Sequence, residues 1–123
     1  MDLKDYIRSI KDYPKKGILF RDITTLIKNE TAFEETINQI VERSKKFKVD
    51  KIAAIESRGF VFASAVSYIL KKPFIMLRKK NKLPADVHSV DFELEYGTAT
   101  IEVHKDSISE NDSVLIIDDL IAV

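Results

Sequence analysis

The chain has 123 residues, 45% of them hydrophobic and 33% charged, with only 3 Gly and 3 Pro, which excludes collagen-like, low-complexity and disordered classes and leaves room for one globular domain. The absence of cysteine excludes a disulfide framework, a thiolate nucleophile and any cysteine-ligated metal centre. Net charge is zero, so no global field draws in nucleic acid or an anionic membrane, yet residues 1–82 carry 19 basic and 10 acidic side chains against one and 10 in residues 83–123.

That split, +9 against −9, has two readings: interleaved surface charge, or a site that holds an anion and a metal together. The first fifteen residues, MDLKDYIRSIKDYPK, are broken by charge and contain no signal-peptide h-region, and no later run approaches the ~20 apolar residues of a membrane helix. The expected protein is soluble and unexported, and a reducing cytoplasm fits it.

In chain order, Leu3, Tyr6, Ile7 and Ile10 recur at helical spacing behind Asp2, which predicts a short amphipathic helix over residues 2–11. Tyr13, Pro14 and Gly17 end it, and residues 18–25, with Arg21 and Asp22 among apolar neighbours, read as an ordered loop. Thr31 and Glu34 have capping-box spacing, and Phe33, Ile37, Ile40, Val41 and Phe47 follow on one face, predicting a helix that ends near Lys48. The run KIAAI, the turn Glu56-Ser57-Arg58-Gly59 and FVFASAVSYIL read as strand, loop and buried helix. After Pro73, FIML reads as a second buried strand. Buried strands alternating with helices predict an α/β fold, a parallel sheet flanked by helices, with ligands at the strands' carboxyl ends. Residues 89–103 alternate apolar and polar about Gly97, which predicts an antiparallel hairpin projecting as a flap. After SISENDS, the strand VLII leads into Asp118-Asp119.

Three constellations can carry chemistry. At a strand-to-helix turn, the backbone N–H groups of ESRG, the Ser57 hydroxyl and the Arg58 guanidinium can converge on a phosphate; alone, the motif also reads as a capped turn with an exposed arginine. The basic run from Arg78 to Lys82, read as a polar loop, can surround a polyphosphate or simply form a solvated face, and it lacks the interleaved aromatics that would stack nucleic-acid bases. Asp118 and Asp119 end an apolar strand, where carboxylates hold sugar hydroxyls or hydrated Mg²⁺, or merely punctuate the strand. His88 and His104 have no second ligand at metal spacing. Ser57 has no sequence-visible His and Asp partners for nucleophilic catalysis.

Together these stretches resemble the adenine phosphoribosyltransferases, type I phosphoribosyltransferases of purine salvage. The resemblance runs through DYPKKGILFRDIT (12–24), IESRGFVF (55–62), RKKNKLPA (78–85), FELEYGTATIEVHKD (92–106) and VLIIDDLIA (114–122), five blocks in the family's order. It implies transfer of phosphoribosyl from phosphoribosyl pyrophosphate to adenine, giving AMP and pyrophosphate, with Mg²⁺, in a homodimer, without nucleic-acid or membrane partners. By the same resemblance Ser57 and Arg58 hold pyrophosphate, Lys79 and Lys82 lie on a mobile loop covering it, and Arg78 assists a neighbouring subunit's site. Leu19, Phe20 and Arg21 match the segment that contacts adenine. Glu95 and Tyr96 match the closing hairpin, with Glu95 the acid or base toward the purine, and Arg58 and Lys79 join it as catalytic candidates. Asp118 and Asp119 match the acid pair that reads the ribose hydroxyls and, directly or through water, the metal. Ala122 matches the start of the family's 5′-phosphate loop.

The resemblance departs at the end, where Val123 stands in place of the family's threonine and the rest of that loop is absent. The expectation is therefore a single, incomplete domain over 1–123 with impaired turnover. The alternative is a non-catalytic domain binding purine or phosphoribosyl ligands for regulation. A receiver-type signalling domain fits less well, since its acid pair would lie near the beginning of the chain.

Overall fold

The computed structural model describes residues 1–94 and 97–119. The chain forms two compact units, Met1–Arg43 and Ser44–Val123.

In the first unit, Asp2 caps a single 3₁₀ turn, Leu3–Tyr6, its carboxylate accepting from the Lys4 N–H at 3.0 Å. The predicted helix stops there. Arg8–Lys11 is instead a strand, β1, paired antiparallel with β2, Leu19–Asp22, which replaces the predicted loop. An isolated ten-residue helix is marginal in water, whereas the turn at Tyr13, Pro14 and Gly17 returns the chain for cross-strand bonding. Gly17 supplies the turn's positive φ of 87°. Arg8 and Asp22 are Cα partners, and their side chains bond across the ribbon, as do Arg21 and Ser9. Two helices follow, α1 at Thr24–Ile27 and α2 at Glu30–Ser44. The cap of α2 is Asn29, whose Oδ1 accepts from the Ala32 N–H at 2.9 Å, so the Thr31–Glu34 capping box does not start this helix. The helix ends at Ser44, four residues before the expected stop, and Phe47 lies beyond it, 64% exposed.

The second unit is built on a five-stranded mixed sheet. Strand β3, Lys51–Ile55, lies between β4, Phe74–Lys79, and β7, Val114–Ile116, and is parallel to both. Strands β5, Val87–Leu94, and β6, Gly97–His104, form the predicted antiparallel hairpin. The order is β5-β6-β4-β3-β7. The hairpin joins the sheet only where Arg78 and Lys79 pair with Glu102 and Ile101, so most of its length extends past β4.

Strand β3 reads KIAAI because it is covered on both faces: Ile52, Ala53 and Ala54 are buried, as a central parallel strand requires. Helix α3, Arg58–Leu70, packs on β3 and β4 through Gly59, Phe62, Ala63 and Val66. It is not buried all round, since Tyr68 and Ile69 face outward, 77% and 51% exposed. Its last turn closes on Lys71 in the left-handed conformation, and Pro73 follows. At the opposite end of the sheet Lys51 pairs with Asp112 at 2.8 Å and donates to the Ser107 carbonyl, fixing the turn that feeds β7. No helix among the described residues is long and apolar enough to cross a membrane.

Candidate active site

Because β4, β3 and β7 run parallel and adjacent, their carboxyl ends open on one edge of the sheet. Neighbouring strands sit ~4.8 Å apart, so three strand ends span about 10 Å. Strand β3 delivers Glu56 and Ser57 into the start of α3, β4 ends in Arg78 and Lys79, and the chain leaving β7 carries Asp118 and Asp119. Backbone bonds lock the three together: the Glu56 N–H donates to the Leu77 carbonyl and the Ile117 N–H to the Ala53 carbonyl, each at 3.0 Å.

The start of α3 is built to approach the acid pair. A Cβ on Gly59 would lie 3.1 Å from both Asp118 Oδ1 and the Ile117 carbonyl oxygen, closer than ordinary contact, so only glycine lets the helix end press against β7. Ser57 is the N-cap residue, yet its hydroxyl makes no capping bond, and the residue is exposed. The N-terminal end of this 13-residue helix carries the partial positive charge that favours phosphate. Arg58 Nε lies 2.5 Å from Asp119 Oδ2, so the basic and acidic parts of the chain meet at this point as an ion pair. Lys51–Asp112 and Arg58–Asp119 are thus two pairs across the charge split, the first at the opposite end of the sheet from the acid pair and the second at the start of α3.

Burial, and then the neighbouring Asp119, push the Asp118 carboxyl above the usual aspartate range. Two crowded carboxylates beside one arginine form a donor set suited to a hard cation. Among the described residues no cluster of three or more His, Cys, Asp or Glu can enclose a metal by itself.

The basic segment is not a free loop. Arg78 and Lys79 belong to β4, and Glu56 holds them: its Oε1 accepts from the Lys79 N–H at 2.7 Å and from Arg78 Nε at 3.3 Å. The Lys79 N–H, followed by the Arg78 charge, depresses the Glu56 carboxyl below its ordinary value. Strand formation at 78–79 was illegible in a run of charges because its cause is pairing with β6 residues more than twenty positions away.

A sequence model described as phosphoribosyl transferase domain matches residues 22–122. The adenine phosphoribosyltransferase of Pelagibacter ubique is 86% identical over 122 residues, 99% of this chain and 70% of that protein. The chain belongs to the adenine phosphoribosyltransferase family. Its fold agrees with solved members: the Thermoanaerobacter pseudethanolicus enzyme superposes with a TM-score of 0.92 at 45% identity, covering 95% of this chain and 68% of that one. The Saccharomyces cerevisiae enzyme, solved with an imino-altritol bisphosphate and adenine, gives 0.90 at 33% identity, covering 98% and 70%.

Within this adenine phosphoribosyltransferase family member, Ser57, Arg58, Arg78, Lys79, Asp118 and Asp119 share one edge of the sheet, and Lys82 lies three residues past the end of β4. Arg78, expected to serve a neighbouring subunit, has its Nε bonded to Glu56 of its own chain. Leu19, Phe20 and Arg21 lie on β2 in the first unit, where the Phe20 ring meets Tyr13 edge-to-face at 5.2 Å. Glu95, Tyr96 and Ala122 lie outside the described residues. Two acids that sequence reasoning missed organise the site, Glu56 and Glu102. Glu56 was visible as the first letter of ESRG, but its role depends on a neighbouring strand, and Glu102 carried no signal beyond its place in an alternating strand.

Proposed function

We propose that this chain transfers phosphoribosyl from phosphoribosyl pyrophosphate to adenine, forming AMP and pyrophosphate. The observation that carries the reading is the convergence of helix start, basic strand end and acid pair on one sheet edge, in a chain of this family. The bond from the ribose carbon to pyrophosphate breaks, a bond to a purine ring nitrogen forms, and the proton on that nitrogen is lost.

In this reading Ser57, Arg58, Lys79 and Lys82 bind the pyrophosphate and stabilise the charge that grows on it as it departs, the largest lever available when the sugar carbon becomes cation-like. Asp118 and Asp119 hold the ribose hydroxyls, and with them the metal. Magnesium, when bound, would offset charge on the leaving pyrophosphate. Leu19, Phe20 and Arg21 contact adenine, Glu95 exchanges a proton with the purine, and Tyr96 closes over the site with it. Ala122 begins the 5′-phosphate contact. Arg78 completes a neighbouring site in a homodimer, while its Nε stays bonded to Glu56 of its own chain. The setting is the cytoplasm, in purine salvage, with no nucleic-acid or membrane partner. Membership of a transferase family argues against a purely regulatory binding domain.

The test is AMP formation from adenine, phosphoribosyl pyrophosphate and Mg²⁺. Arg58→Met should lower turnover about 10- to 100-fold, the worth of one charge-assisted hydrogen bond at 1.5–3 kcal/mol. Equal rates with hypoxanthine or guanine would overturn the adenine assignment, and no product from any base would overturn the transferase reading of this chain.

A further inference from the structure

Glu102 is 8% exposed in a hairpin whose other described residues are half-buried or exposed, and the proposed chemistry makes no use of it. A carboxylate is costly to bury unless its oxygens are bonded. Both are. Oε1 accepts from the Asn81 backbone N–H and Oε2 from the Ser89 hydroxyl, each at 2.9 Å. Asn81 has a positive φ of 66°, a backbone conformation that asparagine tolerates better than most residues, and it sits between Lys79 and Lys82. Two residues earlier, the Lys79 N–H is bonded to Glu56. The backbone of the basic segment is thus held at two amides by two carboxylates, one from the end of β3 and one from the hairpin.

Glu102 also marks the place where the hairpin leaves the sheet, since its Cα partner on β4 is Arg78, the penultimate residue of that strand. Ser89 lies opposite it on β5. A single side chain therefore bonds the segment carrying the site's lysines and both strands of the flap.

We propose that Glu102 is a positioning residue that ties the basic segment to the hairpin and so holds Lys79 and Lys82 in place at the anion site. The inference rests on the anion-site reading above. A carboxylate that merely satisfied the local backbone would affect stability alone. A coupling residue makes anion affinity depend on the acceptor geometry at 102 and on the Ser89 hydroxyl.

The experiment measures pyrophosphate binding in Mg²⁺ by calorimetry and amide exchange at Asn81 by NMR, for the unsubstituted chain, E102A, E102Q and S89A. Glutamine keeps an acceptor for Asn81 and can still bond Ser89, so E102Q should bind pyrophosphate much as the unsubstituted chain does. E102A should bind about tenfold more weakly, the scale of one lost charge-assisted bond. Ser89 is exposed and its loss unbonds only one oxygen of Glu102, a smaller change than E102A, so S89A keeps the proposal testable even if E102A does not fold; it should speed Asn81 exchange and weaken binding in the same direction. E102A binding pyrophosphate with unchanged affinity would overturn the proposal, as would equal losses in E102A and E102Q, which would assign the effect to charge instead of position. Unchanged Asn81 exchange in S89A would overturn the link to the hairpin. If the unsubstituted chain bound no pyrophosphate, the anion-site reading itself would fail, and the proposal with it, whereas the exchange measurements report the coupling without any ligand.

Discussion

The close approach of α3 to the acid pair depends on Gly59. In an exposed helix interior, Gly→Ala gains about 1 kcal/mol from propensity. Here the added Cβ would meet Asp118 Oδ1 and the Ile117 carbonyl oxygen at 3.1 Å. The aspartate can rotate away but the backbone oxygen cannot, so crowding, worth about 1–3 kcal/mol, outweighs the propensity gain. Gly59→Ala should lower the midpoint of thermal unfolding and weaken Mg²⁺-dependent pyrophosphate binding together. Raised stability with unchanged binding would show that the helix start does not need this close approach.

Asp22 offers a second test at the same scale. Its carboxyl accepts from the Thr24 N–H and hydroxyl and from Arg8, which lower its pKa to about 2, against ~3.9 for a free aspartate. The folded state therefore binds its proton less readily than the unfolded chain does. The stability Asp22 contributes is complete above about pH 4 and is lost as the pH falls toward 2. In denaturant titrations, the gap between the unsubstituted chain and Asp22→Asn should be constant above pH ~4 and shrink below it. A gap independent of pH through that window would remove the Arg8–Asp22–Thr24 network as its source.

At the scale of elements, the start of α2 separates two capping models that are only two residues apart. Thr31 and Glu34 satisfy the capping-box spacing, but the structure gives the role to Asn29. Asn29→Ala should cost about 1 kcal/mol and Thr31→Ala close to nothing, since an N-cap bond exists only at the first position. Urea unfolding of the two variants is sufficient, and the reverse order would restore the capping box. The same logic explains β1. Its apolar residues fit a helical period as well as they fit a strand, and the decision came from cross-strand partners: Arg8 with Asp22, and Ile10 opposite Phe20.

For the whole molecule, the proposed shared site is tested by association. Tyr68, Ile69, Val90 and Ile116 are each more than half exposed. With Arg78 proposed to complete a neighbouring site, sedimentation at micromolar concentrations should yield a dimer, and Arg78→Ala should lower turnover in every site of that dimer. A monomer that turned over at full rate would refute both the association and the shared site.

Residue order alone was enough for much of this protein: the strand-turn-helix of KIAAI-ESRG-FVFASAVSYIL, the FIML and VLII strands, the hairpin about Gly97, and the three motifs that meet in the site. These signals are local, because a doubly covered strand must be apolar throughout and a half-covered hairpin must alternate. Tertiary structure decided what local pattern leaves degenerate. It turned residues 8–11 and 19–22 into a ribbon, drew Arg78 and Lys79 into β4, and ended α2 before Phe47. Glu56 and Glu102 acquired their roles in the same way, because a carboxylate's function is set by the amides that reach it, and those amides come from segments 23 and 21 residues away in the chain.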